Sequence, residues 1–315
     1  MKITPLIANY FTSDGGAMFG FVPKPIWSKR MAADEQNRIP QHAHSLLVEL
    51  KDGRKGLIDT GCGPEDRFSE KEIERNGLGP GWPLMDALAR SGTDAEEIAF
   101  VVVTHLHWDH GGGLVGGTSE DLTCAFPKAK VFVHGWEWKD ARTSPAVLYR
   151  SYPRELIGAI EAGYGARVTT VEKDEAEVMP GVTMIRTGGH TRGHCMIRLE
   201  DEGIELNHPD AIFFFPPREA VFAGDVCPMH HNLRMVYQTA YDTFPLETRE
   251  WKLSWLPKLA ASGGLLFFDH DPELFGATVT ADEKTEFRPV KLVRTEFSPF
   301  YAGKRTVEEP AAVEA

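Results

Sequence analysis

The sequence predicts a fold of the α/β class, and three features of the chain support that prediction. Short apolar runs rich in β-branched residues, such as residues 100–103, are typical of buried strands. Segments with apolar residues at helical spacing, such as residues 85–90 and 248–261, occur between these runs. Side chains that can bind metals follow several of the apolar runs directly, so one edge of the predicted sheets can bring them together.

The N-terminal segment, residues 14–27, is rich in glycine and proline and is therefore predicted to be a loop. It is nevertheless too apolar for a loop surrounded by water, because it contains Met18, Phe19 and Phe21. Two interpretations stay open. The segment packs on the core, or it also lines a substrate pocket.

The next segment is predicted to form a β-hairpin, in which residues 45–50 and 55–58 are the strands and residues 51–54 the turn. His42 and His44 precede the first strand at the spacing of a metal-ligand pair. Because no carboxylate follows them, they are interpreted as ordinary residues at the start of a strand.

The central strand leads into a segment in which four of six residues can bind a metal. The extended backbone lets His105, His107 and Asp109 point the same way, because successive side chains of a strand alternate. His110 breaks this alternation and can serve a second metal position. Burial of three imidazoles and a carboxylate at a strand end is costly unless something binds them. The segment therefore predicts a metal site.

The remainder of the chain repeats the pattern of an apolar run followed by a polar or glycine-rich segment. The predicted strands are residues 130–134, 182–186, 196–200, 211–215, 220–223 and 265–268. The helix predicted at residues 248–261 presents one apolar face and is expected to bend at Pro257. Residues 1–303 are predicted to form a single domain, and the charged residues 304–315 a disordered tail.

Composition excludes several classes of protein. With 315 residues, 42% of them hydrophobic, the chain can bury a full core. The net charge of −12, without a cluster of Lys and Arg, argues against a nucleic-acid partner. The four cysteines lack the spacing of a disulfide framework, and no signal peptide or membrane span is predicted, so a cytoplasmic protein is expected. A homodimer is left open.

Five motifs, taken together and in this order, resemble those of the metallo-β-lactamase superfamily and of its N-acyl homoserine lactonase-like branch. The second motif contains the pattern His-x-His-x-Asp-His. The motifs lie at residues 57–61, 104–113, 187–194, 223–225 and 268–271. Each shorter motif is weak by itself, but all five in family order are specific. The resemblance implies an αββα sandwich, in which helices flank two mixed β-sheets.

The resemblance also implies a site for two metals, with ligands from the last four motifs. These ligands are His105, His107 and His190 for one metal, Asp109, His110 and His270 for the other, and Asp225 as the bridge. Imidazole and carboxylate ligands suit two zinc ions, although manganese, iron or cobalt can occupy the same set. Asp59 corresponds to a buried aspartate that steadies the ligand loops.

The same resemblance implies roles in catalysis. A water held between two metals would lose a proton near neutral pH and attack the substrate. Asp109 would pass a proton to the departing group, and a loop tyrosine, Tyr237 or Tyr241, would contact the substrate carbonyl. His194 is expected beside the metal ligands rather than among them. Cys227 is expected to be a small buried residue.

The function implied by the resemblance is that of a dinuclear zinc-dependent hydrolase that opens lactones such as N-acyl homoserine lactones. A glyoxalase-II-like thioesterase, or an organophosphate or aryl-ester hydrolase, would use the same metal core. An iron-dependent oxidoreductase of the same superfamily is an alternative of a different class. The expected partner is a small-molecule ester or lactone, with neither nucleic acid nor membrane.

Overall fold

A computed structural model describes residues 1–143, 150–210, 216–284 and 286–295. Two seven-stranded β-sheets pack face to face, and helices cover the outer face of each sheet. This is the predicted αββα sandwich of two mixed sheets, so the predicted fold class is confirmed.

Sixteen strands are present in the described part of the chain. They are β1 (Lys2–Asp14), β2 (Arg38–Glu49), β3 (Lys55–Ile58), β4 (Ile98–Val102), β5 (Val115–Gly117), β6 (Leu122–Cys124), β7 (Lys130–His134), β8 (Val168–Val171), β9 (Glu175–Met179), β10 (Val182–Arg186), β11 (Cys195–Glu200), β12 (Glu205–Leu206), β13 (Glu219–Phe222), β14 (Leu265–Phe267), β15 (Leu274–Asp282) and β16 (Glu286–Arg294). The first sheet has the order β12-β1-β2-β3-β4-β7-β8, and the second β16-β15-β14-β13-β11-β10-β9. Strands β5 and β6 form a separate pair.

Parallel pairing brings together the strand ends that precede the motifs. In the first sheet β3 runs parallel to β4, and in the second β13 runs parallel to β14. The C-terminal ends of parallel strands meet at the same edge of a sheet, where ligand sites of α/β proteins commonly lie. Four of the five motifs follow these strands directly and are therefore held close to one another by the sheets.

Seven α-helices are described. They are α1 (Gly15–Phe19), α2 (Lys24–Trp27), α3 (Glu70–Asn76), α4 (Pro83–Arg90), α5 (Gly135–Thr143), α6 (Arg154–Tyr164) and α7 (Pro245–Ser262). Leu88 of α4 and Ile160 of α6 are buried against the first sheet, and Trp251 and Leu259 of α7 against the second. Pro257 lies inside α7 as predicted. Among the described helices, none has the length and apolar character needed to cross a bilayer.

Successive side chains of the central strands are buried on opposite faces. Leu57 and Val101 pack in the cluster beneath α4 and α6, whereas Ile58 and Val102 pack between the two sheets. Strands buried on both faces are apolar at every position rather than at every second one. This double burial explains the continuous apolar run that leads into the histidine motif.

The predicted loop at residues 14–27 is wrong in part, because the segment contains the helices α1 and α2. The Asp14 carboxylate accepts a hydrogen bond from the Ala17 amide and so caps α1. Phe19 is fully buried and stacks on Trp27, whereas Phe21 is 62% exposed. The segment therefore packs on the core through Phe19, whereas Phe21 is available to a ligand.

Two sequence predictions lie outside the described residues: the strand at residues 211–215 and the tail at residues 304–315. The extent of the single domain, residues 1–303, stays a prediction.

Candidate metal centre

Asp59, at the end of β3, holds the histidine motif in place. Its backbone has a φ of +53°, a left-handed conformation that aspartate tolerates better than most residues. Its buried carboxylate accepts hydrogen bonds from the amide and hydroxyl of Thr104, both at 2.7 Å, and from Nδ1 of His110 at 2.9 Å. This is the steadying role that the resemblance implied. The bond at Nδ1 leaves Nε2 of His110 free to bind a metal.

One cluster of ligand atoms combines three histidines with a carboxylate. It consists of His105, His107, His190 and Asp225, whose ligand atoms all lie within 4.8 Å of one another. Nε2 of His190 lies 3.0 Å from Nδ1 of His107 and 2.8 Å from Oδ2 of Asp225. Two nitrogens bound to one zinc at about 2.0–2.1 Å would lie about 3.0–3.4 Å apart. The spacing therefore fits one metal ion.

A second cluster lies beside the first and shares Asp225. It consists of His110, Asp225, Asp269 and His270. Nε2 of His110 lies 3.1 Å from Nε2 of His270, again the separation expected of two ligands of one metal. Buried polar atoms normally have hydrogen-bond partners, yet His105 Nε2, Asp225 Oδ1 and both carboxylate oxygens of Asp269 have none. These unpartnered atoms converge where a metal would bind, so the residues present fit a metal-binding role.

The two carboxylate oxygens of Asp225 face different clusters. Oδ2 lies 2.8 Å from Nε2 of His190, whereas Oδ1 lies 3.2 Å from Nε2 of His270 and 3.4 Å from Nε2 of His110. The residue before it, Gly224, has a φ of +59°, and a Cβ there would lie only 2.5 Å from Nε2 of His194. Glycine is therefore required for Asp225 to approach both clusters.

His194 orients Asp225 and lies outside both ligand clusters, as expected from the sequence. Its Nε2 accepts a hydrogen bond of 3.0 Å from the Asp225 amide, and its Nδ1 lies 2.6 Å from the Thr187 hydroxyl. Cys227 is buried in the apolar cluster beneath α7, also as expected.

Two outer contacts that the sequence did not reveal orient the ligand histidines. The carboxylate of Asp242 lies 3.1 Å from Nδ1 of His190, and the carbonyl of His42 lies 2.9 Å from Nδ1 of His270. Such contacts fix the ring and its tautomer, so that Nε2 would be left to bind a metal. Asp242 belongs to no recognisable motif. His42, interpreted from the sequence as an ordinary strand residue, acts here through its backbone.

Glu137 of α5 connects two of the motifs and was also missed. Its carboxylate is fully buried and accepts hydrogen bonds from the Leu106 amide at 2.9 Å, the Tyr152 hydroxyl at 2.8 Å and the Thr191 hydroxyl at 2.6 Å. Leu106 lies between two ligand histidines, and Thr191 follows His190. Glu137 therefore ties the first two histidines of the site to the third.

The predicted ligand Asp109 lies at the edge of the second cluster rather than within it. Its side chain is 16% exposed, and Oδ2 is 3.7 Å from Nε2 of His270. The carboxylate that the structure places in the cluster is that of Asp269, a residue inside the last motif that the sequence interpretation passed over. Its position next to His270 was the available signal.

The two predicted loop tyrosines differ in their surroundings. Tyr237 is 2% exposed and packs edge-on against Phe19 in the apolar cluster of the N-terminal segment. Tyr241 is 51% exposed. Partial burial together with the negative charges of Asp109, Asp14 and Asp225 raises the pKa of Tyr241 to about 12. Of the two, only Tyr241 combines exposure with proximity to the site.

The electrostatics of the site favour a bound cation. Burial lowers the pKa of His105 and of His107 well below the usual imidazole value, so both keep a lone pair available for a metal. Burial acts the same way on His190, but the carboxylates of Asp225 and Asp242 outweigh it and raise its pKa to about 10. Positive charge is thus stabilised here, whether a proton or a metal ion carries it.

Comparison with known proteins gives a consistent picture. Residues 38–204 match the family model of the metallo-beta-lactamase superfamily. An N-acyl homoserine lactonase from a Bacillus species is 29% identical over 166 residues, which are 50% of this chain and 57% of that protein. The chain thus spans about half the length of the curated relatives it matches.

Solved structures resemble the chain over nearly its whole length. A probable metal-dependent hydrolase from Staphylococcus aureus has a TM-score of 0.78 at 28% identity, covering 93% of this chain and 96% of that one. AidC, a dizinc quorum-quenching lactonase solved with N-hexanoyl-L-homoserine as product, has a TM-score of 0.68 at 17% identity, covering 91% and 92%. The second likeness is one of fold alone.

Proposed function

The chain belongs to the metallo-beta-lactamase superfamily, and we propose from its site that it is a dinuclear metal-dependent hydrolase that opens lactones. The observation that carries this proposal is the division of the Asp225 carboxylate, one oxygen toward each histidine cluster. A carboxylate placed in this way can bridge two metals. Two metals held by these clusters would suit the hydrolysis of an ester.

The chain's own residues would organise the reaction around the scissile bond. Divalent metals bound at the two clusters supply Lewis-acid polarisation of the substrate carbonyl. Asp59, Asp242 and Glu137 keep the ligand loops fixed during turnover, because their buried carboxylates are hydrogen-bonded to those loops. A rigid site pays no reorganisation energy when charge develops on the substrate.

Asp109 is suited to move the proton that ring opening requires. When water adds to the carbonyl carbon and the ring C–O bond breaks, the departing alkoxide must take up a proton. Asp109 is partly exposed and borders the second cluster through His270, so its carboxyl can reach both the site and an incoming substrate. It would pass a proton from the attacking water to the alkoxide oxygen.

Two observations favour a lactone with an apolar substituent. Several of the curated relatives that the chain matches are N-acyl homoserine lactonases. In addition, the amide of Ala240 donates a 2.7 Å hydrogen bond to the carbonyl of Ala17, which joins the N-terminal segment to the Tyr241 loop. Phe21 and Tyr241, both more than half exposed, therefore come from adjoining segments, and we infer that they form an apolar rim for an acyl chain.

The substrate class is tested by comparing kcat/KM for a lactone series, a thioester, a phosphotriester and a β-lactam. We expect an N-acyl homoserine lactone to give the highest value and the β-lactam the lowest. The metal-free protein, restored by zinc, is the control for metal dependence. A thioester or phosphotriester that exceeds every lactone would refute the lactone proposal and leave the dinuclear hydrolase standing.

Acyl-chain dependence tests the proposed rim. If the rim buries the acyl chain, kcat/KM should rise by up to about tenfold for every two methylene groups, at about 0.8 kcal/mol each. Phe21→Ala should flatten this trend. Val290→Ala, which removes an exposed apolar side chain from β16, is the matched control and should leave the trend unchanged. A flat profile in the unmodified protein would exclude an apolar acyl site.

A further inference from the structure

We propose that Asp269 is a ligand of the second metal position, which then has two histidines and two carboxylates among its donors, and that this position discriminates less strongly against a harder ion such as Mn²⁺ than the first position does. The proposal rests on the dinuclear site proposed above. It adds a ligand to that site and a difference in metal preference between its two positions.

Asp269 is placed for this role by two strands. It follows β14 by two residues, and its carbonyl accepts a 2.9 Å hydrogen bond from the His44 amide of β2. Its side chain is 1% exposed. Oδ2 lies 3.7 Å from Nε2 of His110 and 3.6 Å from Nε2 of His270. The carboxylate therefore points into the second cluster and away from solvent.

The absence of hydrogen bonds to its carboxylate distinguishes Asp269 from a structural aspartate. Asp271, two residues along, is equally buried, but its carboxylate accepts hydrogen bonds from the amides of His230, Glu273 and Leu274 and from the imidazole of His230. Within the described chain, neither carboxylate oxygen of Asp269 has a hydrogen-bond partner. A buried carboxylate that accepts no hydrogen bond is unfavourable, unless a metal ion binds it.

The two clusters then differ in donor chemistry. The first offers three imidazole nitrogens and one carboxylate, whereas the second offers two imidazole nitrogens and the carboxylates of Asp225 and Asp269. Imidazole suits zinc, iron and copper, and carboxylate oxygens favour harder ions such as manganese. The second position should therefore discriminate less strongly against manganese than the first.

Asp109 borders the same cluster from its exposed side. Its Oδ2 lies 3.7 Å from Nε2 of His270, against 3.6 Å for Oδ2 of Asp269. Its partial exposure leaves it free to face substrate.

The test is metal titration of the full chain after chelation, with wild type, Asp269→Asn and Asp271→Asn compared. Bound metal is counted by elemental analysis after gel filtration, and the Kd of each equivalent is measured for Zn²⁺ and for Mn²⁺ by competition with a chelator. Wild type should bind two equivalents. Asp269→Asn should keep the first and weaken the second by at least about tenfold, with a larger loss for Mn²⁺ than for Zn²⁺.

Thermal unfolding of the metal-free proteins separates a ligand from a structural residue. Asp269→Asn should melt at or above the wild-type temperature, because it removes a buried carboxylate that accepts no hydrogen bond. Its melting temperature should rise less than that of wild type when metal is added. Asp271→Asn should melt lower, because four hydrogen bonds depend on that carboxylate. If Asp269→Asn and Asp269→Ala both unfold as Asp271→Asn does, Asp269 is structural and the proposal is wrong.

The outcomes also separate this proposal from the proposed function. If wild type binds two metals and Asp269→Asn binds the second equally well, only the role of Asp269 is overturned. If wild type binds a single metal, the dinuclear site itself is overturned. Inactivity toward lactones with normal metal titrations would overturn the substrate class and leave Asp269 as a ligand.

Discussion

Replacement of Glu137 by alanine tests whether one buried carboxylate connects the ligand loops. The change leaves three buried donors without an acceptor: the Leu106 amide and the hydroxyls of Tyr152 and Thr191. Each unsatisfied buried donor costs about 1–3 kcal/mol. Because the two hydroxyls can rotate toward other partners, we expect a loss near the lower end of the sum, about 3–5 kcal/mol. That is a large share of the roughly 5–15 kcal/mol by which a domain is stable.

The assay is urea unfolding followed by circular dichroism, with the free energy of unfolding obtained by linear extrapolation. Tyr152→Phe is the matched control, since it removes one donor and leaves Glu137 with two; about 1 kcal/mol should be lost. Glu137→Ala should also weaken metal binding at the first cluster more than at the second, because Leu106 and Thr191 adjoin ligands of the first cluster. A loss no greater than that of Tyr152→Phe would refute the reasoning.

Three further predictions concern the site itself. Asp225→Ala should weaken the binding of both metals, because each oxygen of Asp225 faces a different cluster. His270→Ala should leave metal binding at the first cluster intact, because His270 belongs only to the second. Elemental analysis that finds equal loss of both metals in His270→Ala would contradict this division. Asp109→Asn should lower kcat more than metal content, since an amide cannot deliver a proton, and activity that merely tracks bound metal would remove that role. Tyr241→Phe should lower kcat/KM by up to about tenfold, the contribution of one hydrogen bond. The pH profile below pH 10 should not change, because partial burial and nearby carboxylates raise the pKa of Tyr241 to about 12 and keep its hydroxyl protonated there. A difference between variant and wild type on the alkaline side of that profile would show that the Tyr241 hydroxyl loses its proton in this range.

The fold class and most candidate ligands could be predicted from sequence because their signals are local. A strand buried on both faces is apolar at every position, as Val101 and Val102 illustrate, and this pattern needs no knowledge of the partner strands. His105 and His107 lie at the end of such a strand, where alternation alone lets them share a direction. The family resemblance, now confirmed, supplied the order of the remaining motifs.

Other features depended on contacts between distant residues. Asp242 orients His190 from 52 positions away, and Glu137 reaches Thr191 across 54. The N-terminal segment, predicted as a loop, forms two short helices because Asp14 caps the first and the apolar side chains find a cluster to fill.

The difference between Asp269 and Asp271 shows most directly what only the tertiary structure decides. Both are aspartates of one motif, and in sequence they are chemically the same. Four hydrogen bonds converge on Asp271, and none reach Asp269. The hydrogen-bond donors around a buried carboxylate decide whether it stabilises the fold or is a candidate metal ligand. Folding brings those donors from other strands and loops.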